Sequence, residues 1–172
     1  MKRKTLSIII IFLFFCFFVF LNGLNNNNNY IPSESIGKKI LPFTAKKLSN
    51  NQKISSDELF IEKKIYLLNI WSSWCIPCRI EHDTLMKLSK NNLIEIIGLN
   101  YKDNLENAKK FINNMGNPYS EILVDKDGTI SIDLGAYGVP ETLVINENKI
   151  IIMKFVGPLT AKSVKEIKSI IK

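Results

Sequence analysis

Apolar residues fall into three patterns along this chain. The first is a single block, Ile8–Leu21, in which 14 successive residues are apolar or Cys. Extended to Leu6–Leu24 it counts 19 residues, about 28 Å as a helix and long enough to cross hydrocarbon. The second pattern is the short dense run bounded by polar turns, which reads as strand. Such runs are Ile65–Ile70, Leu93–Leu99, Glu121–Val124, Thr142–Ile145 and Lys149–Val156, with Asn146-Glu147-Asn148 joining the last two as a hairpin. Phe43–Leu48 and Lys53-Ile54 form another hairpin around Ser49-Asn50-Asn51. The third pattern has the helical period. It predicts a helix from about Pro77 to Lys90, and one presenting Leu105, Ala108, Phe111, Ile112 and Met115 on one face. A third helix starts at a Thr160 cap and buries Val164, Ile167, Ile170 and Ile171. Asp103-Asn104-Leu105-Glu106 carries a capping-box signature, and Gly116-Asn117-Pro118 stops the second helix. Short helical turns are expected from Asp57 and over Ile130–Leu134. Strand–helix–strand–helix followed by hairpin and helix implies an α/β domain: a central mixed sheet flanked by helices on both faces.

Three segments result. Residues 1–24 are expected to be a signal anchor, a transmembrane helix whose basic start, Lys2-Arg3-Lys4, stays in the cytoplasm. Val19-Phe20-Leu21-Asn22 lacks the small residues a signal peptidase needs, which favours retention over cleavage. Residues 25–35 are an Asn-rich linker, and residues 36–172 are the domain. Cys16 reads as a small lipid-facing residue. The formal charge of +7 falls to +4 once the three basic residues before the apolar block are set aside. That excess is scattered, with no basic stripe interleaved with aromatics, which argues against nucleic-acid binding.

Three cysteines do not make a disulfide framework. Cys75 and Cys78 sit where a buried strand passes into a helix. There the first cysteine meets unpaired backbone N–H groups and the positive end of the helix dipole, which favour thiolate. Thiolate is the attacking species in disulfide exchange, so Cys75 is the expected nucleophile and Cys78, one turn further in, the resolving thiol. Zinc and iron–sulfur sites use the same spacing but need four ligands. The only further candidates are Cys16 and His82, so no metal and no cofactor are expected. Covalent haem attachment would want His where Arg79 stands. His82, Arg79 and Glu81 read as exposed helix residues. Trp74 beside the nucleophile is expected to offer apolar surface to a protein substrate, whereas Trp71 suits the core equally. Val139-Pro140, between glycines and a strand, suits a cis bond beside the cysteines, leaving the backbone of Val139 free to pair with an extended substrate. Glu141, if near the pair and partly buried, would shuttle a proton. Asn69, polar within an apolar strand, can hydrogen-bond but cannot titrate.

Trp74-Cys75-Ile76-Pro77-Cys78 together with Val139-Pro140 resembles the thioredoxin superfamily. Gly98–Asp103, Gly116-Asn117-Pro118-Tyr119, Asp133–Thr142 and Val156–Thr160 narrow the resemblance to the DsbE-type thiol:disulfide interchange proteins of cytochrome c biogenesis. That resemblance implies a thioredoxin-like fold on a membrane anchor, held to the bacterial inner membrane and facing the periplasm. It implies a monomeric reductant serving apocytochrome c or a maturation thiol protein, with electrons from a membrane thiol transporter. It makes Pro140 the cis-proline and Glu141 the acidic residue near the site. Two departures stand out: Asn69 occupies the place of a thioredoxin Asp, and Ile76-Pro77 replaces the family's common Pro-Thr. A less specialised periplasmic reductase and a non-catalytic module using the groove around Pro140 remain open readings; a peroxidase is disfavoured by the paired cysteines.

Overall fold

The computed structural model describes residues 2–25, 35–62 and 64–171, with side chains described over 5–21 in the first stretch. The chain divides into two compact units, Met1–Ile31 and Pro32–Lys172. The first contains helix α1, Lys2–Asn25, whose side chains over 5–21 are all exposed. Among the described residues no helix is long and apolar enough to cross a membrane, so the span expected at 1–24 is not shown by the structure.

The second unit is built on a seven-stranded sheet. Its strands are β1 (Thr44–Lys47), β2 (Lys53–Ser55), β3 (Ile65–Trp71), β4 (Ile94–Tyr101), β5 (Glu121–Asp125), β6 (Glu141–Ile145) and β7 (Ile151–Val156), arranged 2-1-5-4-3-6-7. β3, β4 and β5 run parallel, and the β1–β2, β1–β5, β3–β6 and β6–β7 pairs are antiparallel, which makes the sheet mixed as expected. The helices are α2 (Ser56–Leu59), α3 (Ile76–Leu88), α4 (Leu105–Met115), α5 (Thr129–Asp133) and α6 (Ala161–Ser169).

β3 is buried along nearly its whole length because both faces are covered, which is why it reads as an apolar run broken only by Asn69. Its alternation sends Leu67 and Trp71 into one core with Leu85 and Leu88 of α3, Phe111 of α4 and Ile167 of α6. Tyr66, Leu68 and Ile70 enter the opposite core with Leu59 and Leu134. Asn69 has the parity of Leu67 and Trp71, so it faces α3.

One start signal proves wrong. The capping box at 103–106 does not form. The N-cap of α4 is Asn104, whose side chain accepts from the amides of Glu106 and Asn107 at 3.0 and 3.2 Å. Asp103 turns away to a different task. Leu105, expected on the inner face, is 43% exposed.

Candidate functional site

β3 ends at Trp71, and the loop Ser72-Ser73-Trp74 carries the chain to Cys75, the N-cap of α3. Cys75 and Cys78 are joined as a disulfide. The N–H of Cys78 donates to Cys75 Sγ at 3.1 Å, so one of the orphan amides of the first turn is aimed at this sulfur. Pro77 lies in the first turn, where its missing N–H costs nothing. Both cysteines are buried, whereas Trp74 and Ile76 beside them are 57% and 72% exposed.

Asp103, at the end of β4, holds the loop in place. Its carboxylate accepts from the Ser73 N–H and from Ser73 Oγ at 2.7 Å, and also from Asn100 Nδ2 and the Asn104 N–H. Ser72 Oγ donates to the Tyr101 carbonyl at 2.8 Å and Trp74 Nε1 to the Lys102 carbonyl at 3.1 Å. Arg79 is exposed as expected. Its Nη2 donates to the Ser73 carbonyl at 2.8 Å, and its guanidinium lies over the Phe111 ring.

The second wall is the segment 135–141. Val139–Pro140 is cis, and Pro140 is buried. Ile70 pairs with Glu141 across the β3–β6 ladder, which puts the proline at the end of β3 that leads to the cysteines. Val139 packs against the core cluster that contains Cys75 and Cys78. Glu141 is 1% exposed. Its Oε1 accepts from the N–H groups of Tyr137 and Gly138 at 2.6 and 3.0 Å, and its Oε2 pairs with Lys154 Nζ at 3.0 Å. Lys154, buried on β7, also donates to the Gly135 carbonyl and lies 4.7 Å from the Tyr137 ring centroid. The pair therefore clasps the loop that carries the cis-proline.

Two side chains expected in solvent are inside. The inward stripe of α3 is Cys78, Glu81, His82, Leu85 and Leu88. His82, 1% exposed, sets its Nε2 3.0 Å from the Gly116 carbonyl and its ring edge-to-face on Phe111. Glu81, also 1% exposed, is one turn beyond Cys78. Its Oε1 accepts from Asn69 Nδ2 at 2.9 Å and its Oε2 from the Leu159 N–H at 2.8 Å. Burial pushes its pKa up from 4.5 to about 7, against the two hydrogen bonds that favour the charged form. The spacing of Glu81 three residues after Cys78 was the available signal, since that offset keeps a helical face.

The arrangement can hold a reversible dithiol–disulfide pair, stabilise thiolate at Cys75, and supply a titrating carboxyl beside Cys78. The chain is similar to known proteins. The family model described as Redoxin matches residues 35–171. The thiol:disulfide interchange protein DsbE of Escherichia coli strain K12 is 36% identical over 167 residues, covering 94% of this chain and 90% of its own. The DsbE of Tatumella citrea is 39% identical over 79% of this chain and 73% of its own. The thiol:disulfide interchange protein CycY of Rhizobium leguminosarum is 43% identical over 62% of this chain, which spans 57% of that relative's length. Among solved structures, a DsbE-type protein from Chlorobium tepidum superposes with TM-score 0.66 at 19% identity, over 80% of this chain and 98% of its own. A DsbF homologue from Corynebacterium diphtheriae does so with TM-score 0.66 at 23% identity, over 76% and 85%. These structural likenesses establish the thioredoxin-like fold. With the fold, the cysteine pair and the relatives together, the chain belongs to the redoxin family and, within it, to the DsbE-type thiol:disulfide oxidoreductases.

Proposed function

We propose that this protein is a membrane-anchored reductant of protein disulfides in cytochrome c maturation. It keeps the haem-attachment cysteines of apocytochrome c, or the thiols of a maturation partner, reduced, and it is recharged by a membrane thiol transporter. The observation that carries the reading is the Cys75–Cys78 disulfide at the start of α3, with the Cys78 amide on Cys75 Sγ. The names of the relatives support interchange chemistry. Anchoring in the bacterial inner membrane, with the domain in the periplasm, is supported by the exposed apolar side chains of α1 and the basic residues that precede them.

In the reduced protein, Cys75 thiolate attacks one sulfur of a substrate disulfide. A mixed disulfide forms and one substrate thiolate leaves. Glu81 takes the Cys78 proton, and Cys78 thiolate attacks Cys75 Sγ. The second substrate thiol is released, two electrons having passed to the substrate, and the pair is left oxidised. The transporter's dithiol restores it by the reverse exchange. Asp103 and the Glu141–Lys154 pair hold the two walls, while Trp74 and Ile76 offer apolar contact to the incoming chain.

Cys75→Ser abolishes exchange, and Cys78→Ser traps the mixed disulfide, visible on a non-reducing gel. Deletion of the gene depletes holo-cytochrome c; unchanged cytochrome levels would overturn the maturation role. A midpoint potential toward about −270 mV supports a reductant, and one near about −120 mV makes the protein an oxidant.

A further inference from the structure

We propose that Tyr119 is a positioning residue for the exchange reaction: through Asn69 it fixes the amide that faces Glu81, and so keeps Glu81 a hydrogen-bond acceptor ready for the Cys78 proton. The inference rests on Glu81 being that acceptor.

Tyr119 is buried, stacked on Trp71 with ring centroids 5.6 Å apart, and its hydroxyl donates to Asn69 Oδ1 at 2.9 Å. The other end of the same amide is also fully used. Asn69 Nδ2 donates to Glu81 Oε1 at 2.9 Å and to Thr142 Oγ1 at 3.1 Å. An amide has one accepting end and one donating end, so what binds the oxygen decides which way the nitrogen points. With the tyrosine proton on Oδ1, the NH2 group must face Glu81, where it favours the carboxylate. Turned over, the amide would point its oxygen at Glu81 Oε1, and only a protonated Glu81 could then donate to it.

The route by which Tyr119 reaches Asn69 is built into the sheet. Gly98 pairs with Asn69 in the β3–β4 ladder and with Ile122 in the β4–β5 ladder. A Cβ on Gly98 would fall 3.0 Å from Tyr119 Cγ and Cδ1 and 2.8 Å from Trp71 Nε1. The tyrosine ring thus crosses β4 over the one position that lacks a side chain.

The groups that face Glu81 are few. They are Asn69 from β3, the Leu159 N–H from the turn before α6, and, through Asn69, Thr142 of β6 and Tyr119 from the turn before β5. On α3 itself Cys78 and His82 share its stripe, and His82 is turned to the Gly116 carbonyl. Among the described residues no cation is its partner, so burial raises its proton affinity and only neutral dipoles oppose it.

The test follows the Glu81 side-chain 13C carboxyl resonance against pH in the oxidised full-length protein in detergent micelles. Assignment comes from Glu81→Gln. Tyr119→Phe raises the Glu81 midpoint by about one pH unit, a tenfold change in proton affinity, because the orphaned Asn69 oxygen now gains by meeting a protonated acid. In an Asn69→Leu background Tyr119→Phe adds nothing, since no amide is left to orient. Gly98→Ala, which keeps the hydroxyl but displaces the ring, moves the midpoint the same way and serves if Tyr119→Phe does not fold. An unmoved midpoint in the folded variants overturns the proposal, as does an equal shift with and without Asn69. The underlying reading fails separately: if Glu81→Gln leaves the pH dependence of Cys78 alkylation in the reduced protein unchanged, Glu81 is not the acceptor. If Glu81→Gln changes that dependence while Tyr119→Phe moves nothing, only the role of Tyr119 is lost.

Discussion

Glu81 and Glu141 are both 1% exposed, and both belong to the walls around the disulfide. Glu81 reaches the site through α3 and Glu141 through the start of β6, directly after the cis-proline, yet they are provided for in opposite ways. Glu141 has a cation, Lys154 at 3.0 Å, besides two backbone amides. Glu81 has two neutral donors and, among the described residues, no cation. Desolvation penalises a buried carboxylate in either place, and a paired positive charge is what offsets it. Burial lifts the uncompensated Glu81 to about 7, while Glu141, bound to Lys154 and two backbone amides, is a clasp. Proximity to the proline singled out Glu141 as a proton carrier; its pairing with Lys154 is why we propose Glu81 for that task instead.

The comparison is broken most severely by removing the cation. Lys154→Met leaves Glu141 buried without its charge partner and should cost about 3–5 kcal/mol in urea unfolding at neutral pH. Adding Glu141→Gln to that variant should restore most of the loss, because the stranded charge goes with it. A single-variant loss below about 1 kcal/mol, the scale of a surface pair, would show that the clasp is not what keeps Glu141 inside.

The opposite test concerns pH. Folding raises the Glu81 pKa from 4.5 to about 7, so between those values the folded protein holds a proton that the unfolded chain has lost. Stability from this group is fully present below about pH 4.5 and is lost as pH rises through about 7. The rise corresponds to about 3 kcal/mol. Glu81→Gln, which keeps the shape without the charge, should gain on wild type by that amount as pH climbs across the window. Unfolding measured for both proteins at pH 5 and 8 gives the difference, and an equal gap at the two values would sink the claim.

The architecture was legible because both faces of the sheet are covered. Ile65–Ile70 and the residues around Ile97 appear as short, nearly continuous apolar runs bounded by polar turns, which read as buried strands. The cysteine pair and the cis-proline were legible because their residue types are rare in those settings. What the sequence concealed was polarity placed on an inward face. Glu81 and His82 occupy the stripe that Cys78, Leu85 and Leu88 define, so the apolar period breaks where the chemistry is. The partners that make this burial tolerable lie 12 and 78 residues from Glu81, and the tyrosine lies 50 from Asn69. Only the folded sheet brings them together. Lys154 was hidden in the same way, as one more lysine in an edge strand until the register set it opposite Leu143, two residues from Glu141.

A third carboxylate sharpens the contrast at smaller scale. Asp103 has no cation either among the described residues, and burial pushes its pKa up, but four hydrogen bonds outweigh that and hold it below the ordinary 3.8. It differs from Glu81 in remaining partly open to water, so less solvation was given up and the donors prevail. Its contribution is therefore present above pH 3.8 and lost as pH falls through the lowered value. Asp103→Asn turns one accepting atom into a donor facing Ser73 or Asn100. With solvent screening allowed for, it should cost about 1 kcal/mol at pH 7 and progressively less in acid. Because Asp103 holds Ser73, the same variant should loosen the loop and increase quenching of Trp74 fluorescence by acrylamide. Unchanged quenching together with unchanged stability would mean that the hydrogen bonds from Ser72 and Trp74 position the nucleophile's loop without this carboxylate.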